Sequence, residues 1–129
     1  MIYAIAAMVG GVFYREFTKY NNFTGATALG KVHDHLFLLG MLVFLVISLF
    51  AAHNDLTKSR TFSAFLWTYN IGVPLTSTML LVRGVCQVLD LNFSTDLSAA
   101  VSGIAGIGHI LTGTGIILLL VSLKKASRC

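Results

Sequence analysis

From Leu36 to Ala52 the chain reads LFLLGMLVFLVISLFAA, a run without one charged side chain. Such a run needs either a protein core on every side or hydrocarbon, and a helix that crosses hydrocarbon takes about 20 residues. Two more runs of similar character follow, from about Phe62 to Leu89 and from about Asp96 to Leu123. Of the 129 residues 56% are hydrophobic and only 11% charged, too few charges to give three such runs a water-facing cover. The lipid bilayer is therefore the expected surrounding. The net charge of +4 comes from nine Lys and Arg residues scattered singly and in pairs. That is not the basic stripe that grips nucleic acid, and no nucleic-acid partner is expected.

The predicted fold is all-α, one domain over residues 1–129, an integral membrane bundle of four transmembrane helices at about 1–20, 25–53, 62–89 and 96–123. The first is apolar to Tyr14 and then amphipathic in YREFTKY, which reads as a span whose Arg15 and Lys19 snorkel to the interface. It lacks the charged n-region of a cleaved signal peptide. Thr24 is the expected cap of the second helix and Ser94 or Thr95 that of the fourth. Pro74 predicts a tolerated kink in the third. Lys58 and Arg60, with Lys124, Lys125 and Arg128, place both termini on the cytoplasmic side by the positive-inside rule. Arg15, Lys19, Lys31 and Arg83 fall on the opposite side and run against it. Cys86 and Cys129 stand far apart, without the spacing of a disulfide framework, a zinc ribbon or covalent c-type haem.

Polar residues are scarce enough that their positions carry weight. KVHDHLFLLG sets His33, Asp34 and His35 at the mouth of a long apolar run, and His109 sits well inside the fourth helix. With about 1.5 Å of rise per residue, all three histidines are expected at one depth. An ionisable side chain inside a span costs at least about 2.5 kcal/mol when charged, and such residues usually mark function. His33 and His35 are two residues apart, hence about 200° around the axis, and serve opposite faces: two metal centres or two subunits rather than one chelate.

Ser102, Gly106, His109 and Gly113 share one helix face, and Gly30, His33, Phe37 and Gly40 repeat the pattern. These glycines either admit a flat macrocycle edge-on beside the imidazole or let helices approach closely. Asp34 is either an acceptor that orients an imidazole or an ion-pair partner of Lys31. Arg15, Lys19 and Arg83 either meet carboxylates of a cofactor or anchor the helices at the interface, and Lys19 reads as an interfacial anchor. Tyr69 and Asn70 are expected in interhelical hydrogen bonds, and His53 at the surface.

The order GVFYREFT, HDHLFLLGM, YNIG, GIAGIGHILTG resembles an uncharacterised family of small bacterial four-helix membrane proteins. The resemblance implies that fold and a bacterial inner-membrane location, and brings no activity with it. The run from His33 to Gly40, His-x-His-Leu-x-x-Leu-Gly, is similar to the haem-ligating helix of haem-copper oxidase catalytic subunits and their nitric-oxide-related relatives. In those, the resemblance implies, three four-helix arcs form the subunit, and a His-x-His pair carries two haems on opposite faces. No His-His pair for copper, no His-Tyr redox pair and no channel of acidic residues accompanies it here, so oxygen reduction is not expected.

The reading that results is a membrane b-type haem protein for electron transfer or redox or gas sensing. Its ligands are drawn from His33, His35 and His109, with Arg15, Arg83 and Gly106 around the cofactor, in a homo-oligomer that the three-arc plan suggests is a trimer. An oxidoreductase activity would depend on the haem. Two other readings stay open: a small transporter or copper- or zinc-handling protein using the same histidines, and a structural or assembly subunit with no cofactor.

Overall fold

The computed structural model describes residues 1–52, 56, 59–91 and 94–127. Among them there is no strand. Four helices follow one another: α1 (Ile2–Tyr20), α2 (Leu29–Ala51), α3 (Arg60–Val88) and α4 (Thr95–Ala126). Three of these, α2, α3 and α4, are long and apolar enough to cross a membrane, with 23, 29 and 32 residues. At about 1.5 Å per residue even α2 exceeds the roughly 30 Å of a hydrocarbon core. α1 is shorter and carries Arg15, Glu16 and Lys19 towards its end.

Much of the apolar side-chain surface faces outward. Trp67 is 75% exposed, Ile110 69% and Leu49 65%, with Ile71, Ile117 and Leu38 also open. In water this would be a patch far larger than a soluble monomer carries. In lipid it is the surface that hydrocarbon wets, and the chain reads as a membrane protein.

Lipid gives helices no hydrophobic reason to associate, so their contact rests on close backbone approach over small residues. The α3–α4 hairpin is built this way. The buried residues of α4, namely Gly108, Thr112, Gly115, Leu119 and Ser122, recur at alternating spacings of four and three, one seam along the helix. Gly72 and Thr76 of α3 face it. A Cβ added to Gly72 would lie 2.6 Å from the Thr112 backbone nitrogen, and one on Gly108 would lie 2.5 Å from Thr76 Oγ1. The Thr112 hydroxyl donates to the Gly108 carbonyl at 2.8 Å, so it brings no unmet polar group into the seam.

α2 runs antiparallel to both α1 and α3. Gly40 lies under the Tyr3 ring, Gly30 against Tyr14, and Gly84 of α3 against the Leu29 backbone. Phe44 stacks on Tyr3 at 5.6 Å between ring centres and meets Tyr69 at 6.1 Å, joining three helices in one aromatic cluster. The expected interhelical hydrogen bonds are present: Tyr69 Oη donates to the Leu39 carbonyl at 2.9 Å, and Tyr3 Oη donates to Asn70 Oδ1 at 3.0 Å.

Two features of α2 differ from expectation. The helix starts at Leu29, four residues later than predicted, because the chain before it is engaged with α3. The Thr27 hydroxyl donates to the Gly84 carbonyl and accepts from the Leu29 N–H, while the Ala28 N–H donates to Gln87 Oε1 at 2.7 Å. Thr27 therefore organises this start, and Thr24 does not. Directly after His35, residues Leu36–Leu42 form a π-helical segment, whose bonds span one residue more than the α ladder. The Leu39 carbonyl that receives Tyr69 lies inside it, and so does Gly40 beneath Tyr3. A foreign hydroxyl in the ladder and a ring pressed on its backbone are the kind of insertion that locally alters a helix. The start of α4 agrees with expectation: Ser94 Oγ accepts from the Leu97 N–H at 3.3 Å.

Candidate functional site

The three helical histidines divide into one and two. His33 turns towards α1, where a Cβ on Gly11 would lie 3.8 Å from its Cβ and Cγ. Its Nε2 stands 3.1 Å from Asp34 Oδ1. A carboxylate can only accept, so Nε2 carries a hydrogen, and in the neutral tautomer Nδ1 is left with the lone pair. That Nδ1 is buried and has no hydrogen-bond partner. Asp34 thus orients an imidazole, the first of its two expected roles, and its partner is His33 rather than Lys31. The small residues flanking His33 do not make a slot, since the Tyr14 and Tyr3 rings of α1 fill the space over Gly30 and Gly40.

His35 faces the other way and meets His109. Their ring centres are 6.2 Å apart with the planes at 84°. In each ring Nδ1 lies against the carbonyl one helical turn earlier: His35 against Lys31 O at 2.9 Å, His109 against Ala105 O at 2.8 Å. A carbonyl can only accept, so Nδ1 carries a hydrogen in both rings, and in the neutral tautomer Nε2 is left as the acceptor. A carbonyl holding Nδ1–H is the arrangement that fixes ring orientation and raises basicity in metal-binding histidines. His33 has the opposite tautomer, its Nε2 committed to Asp34. Equal depth for His35 and His109 was legible in the sequence, although α2 starts later than counted.

The surroundings of the pair are asymmetric. α4 packs on α3, and Ser102, Gly106, His109 and Gly113 lie exposed on its far side. A Cβ on Gly103, Gly106 or Gly113 would meet nothing within 4 Å. The glycines of α4 therefore separate by face: Gly108 and Gly115 serve close packing, whereas Gly106 borders open space beside His109. Next to His35 is a groove of about 270 Å³ lined by Lys31, Asp34, His35, Leu38 and Leu39. Lys31 also lines a second cavity, of about 320 Å³, together with Arg83. Arg15 is elsewhere, exposed on α1 and 3.9 Å from Glu16. His53 lies outside the described residues. Among the described residues no three His, Cys, Asp or Glu side chains gather as metal ligands.

Sequence reasoning missed the sorting of the histidines by tautomer and the sharing of one cavity by Lys31 and Arg83. The first had no signal, since a helical histidine always has a carbonyl one turn behind it and yet His33 leaves Nδ1 unpartnered. The second had none, because it depends on the docking of α2 against α3.

Long apolar helices bearing a pair of oriented imidazoles define an all-helical membrane protein with a candidate two-histidine centre. The family described as "Protein of unknown function (DUF2871)" matches residues 1–126, and the chain belongs to it. No curated protein and no solved structure matches the chain.

Proposed function

We propose that this chain is a membrane b-type haem protein in which His35 and His109 are the axial ligands, serving electron transfer or redox or gas sensing. The observation that carries the reading is the pair of imidazoles 6.2 Å apart, each held through Nδ1 with Nε2 free. A metal–nitrogen bond of about 2 Å would put each ring centre about 3 Å from a metal, so the spacing of the rings leaves room for both to hold one ion. Two protein nitrogens without a third ligand suit a group that brings its own in-plane donors. A structural zinc site takes four protein ligands, and a catalytic one usually three. Bound haem would supply the redox chemistry, while the chain orients the two nitrogens.

The groove beside His35, about 270 Å³, is smaller than the roughly 300–1,000 Å³ of sites that enclose a ligand. A macrocycle there would project past the exposed α4 face at Gly106 and need a further wall. A second copy of the chain supplies one. A closed ring is the common solution for such contacts, and the resemblance to a three-arc subunit favours a trimer. We assign the protein to a bacterial inner membrane, with α1 as a fourth span and both termini cytoplasmic. Arg60 at the start of α3 and Lys124 and Lys125 at the end of α4 support this orientation.

An absorption spectrum of detergent-purified protein, with haem counted per chain by pyridine haemochrome, tests the reading. A Soret band lost in His35→Ala and His109→Ala is the expected result. A colourless protein that retains copper or zinc would replace it with the metal-handling reading, and a colourless, metal-free protein with the structural one.

A further inference from the structure

We propose that the cavity between the start of α2 and the last turns of α3 binds the phosphate headgroup of an anionic lipid through Lys31 and Arg83. This inference rests on the membrane location alone and is independent of haem. The cavity, about 320 Å³, is lined by Lys31, Arg83, Gln87, Thr27, Leu80 and the small side chains of Ala26 and Ala28. Two cations share it and no carboxylate lines it. Among the described residues the ion pairs are Arg15 with Glu16 and His33 with Asp34, so neither Lys31 nor Arg83 has an acidic partner. Asp34, the acid closest to Lys31 on α2, is occupied by His33. Asp90 lines an adjoining cavity of about 430 Å³, which shares Ala26, Arg83 and Gln87, and forms no ion pair with Arg83.

The donors suit a tetrahedral oxyanion. Arg83 offers a planar fork that matches two phosphate oxygens, and Lys31 a compact charge. Gln87 uses its Oε1 to accept from the Ala28 N–H, which leaves its amide NH₂ to donate. Thr27 adds nothing, its hydroxyl being engaged with Gly84 and Leu29. The level is that of headgroups: the cavity is bounded by the chain just before α2 and by the turns of α3 just before its end at Val88. Leu80, one turn deeper, gives it an apolar floor. The proposal also accounts for two cations that the positive-inside rule does not. Lys31 and Arg83 lie at the end of the bundle opposite Arg60, Lys124 and Lys125, where topology gives no reason for positive charge.

Native mass spectrometry of the full chain in detergent, titrated with phosphatidylglycerol or with phosphatidylcholine of the same acyl chains, tests the site. Wild type should retain phosphatidylglycerol preferentially. K31Q/R83Q should weaken that binding by about tenfold or more, as expected for losing charged hydrogen bonds, with phosphatidylcholine unchanged. K124Q/K125Q at the other end should leave the preference intact, and K31R/R83K, which keeps both charges, should largely retain it. Helical circular dichroism of each variant checks folding. Equal retention of the two lipids by wild type would overturn the proposal, as would an undiminished preference in K31Q/R83Q.

Discussion

Gly72→Ala and Gly106→Ala add the same methyl group to two helices of the same hairpin, and the structure separates their consequences. At Gly72 the new Cβ would stand 2.6 Å from the Thr112 nitrogen and 3.0 Å from the Gly108 carbonyl oxygen, both backbone atoms that cannot rotate away. Ordinary contact begins near 3.4 Å, so α3 and α4 must part locally by roughly 0.8 Å. Overpacking of a tight contact costs about 1–3 kcal/mol. At Gly106 nothing lies within 4 Å of the added carbon. Both substitutions gain the same helix propensity, up to about 1 kcal/mol in a soluble helix. Their difference therefore isolates the seam, with G72A less stable than G106A by about 1–3 kcal/mol. Unfolding in mixed detergent, followed by far-UV circular dichroism as the denaturing detergent fraction rises, measures both. A difference below about 0.5 kcal/mol, within the scatter of ordinary surface substitutions, would refute close packing as the basis of the hairpin.

Further outcomes follow from single contacts. If haem is held as proposed, His109→Ala should abolish a low-spin bis-imidazole spectrum in the purified protein, while His53→Ala should leave haem content unchanged. Tyr69→Phe removes the donor to Leu39 O and should destabilise by about 1 kcal/mol in the same detergent titration, with faster amide exchange around the π segment. Ser94→Ala should cost about 0.5–2 kcal/mol and increase exchange in the first turn of α4, because it deletes the acceptor of the Leu97 N–H.

What the sequence made legible was what a short stretch of chain decides alone. Long apolar runs specify helices in lipid, and Ser94 before Thr95 and Asp96 marks a start that needs no other element. The start of α2 could not be read the same way. Thr24 and Thr27 are equally good caps in sequence, and the choice falls to Gly84 and Gln87, far along the chain. The π segment is legible only once Tyr69 and Tyr3 are known to press on it. For the site, spacing sent His33 and His35 to opposite faces and matched the depth of His109. It could not say which face α1 would cover, since glycines flank His33 and His109 alike. Tyr14 and Tyr3 decided that by filling one side.

His33 is one of four residues with a buried, unpartnered side-chain polar atom among the described residues, and as a histidine it tests how ligands are shared. Its Nδ1 is buried without a partner, a loss of about 1–3 kcal/mol relative to a satisfied group. The geometry explains why the loss arises. With His35 turned to His109, a residue two positions earlier must point about 200° away, straight at α1. A leucine there would fill similar space without the orphaned nitrogen, and Asp34, whose side chain is 61% exposed, would remain solvated. If His33 only packs, His33→Leu should stabilise the protein by about 1–3 kcal/mol and leave haem content and spectrum as in wild type. If haem is instead gripped between His33 of one copy and His35 of the next, His33→Leu should strip haem as completely as His35→Ala, and native mass spectrometry should show the trimer lost with it. Pyridine haemochrome counts on the two variants separate the alternatives. Equal and complete loss would overturn ligation by His35 and His109 within one chain.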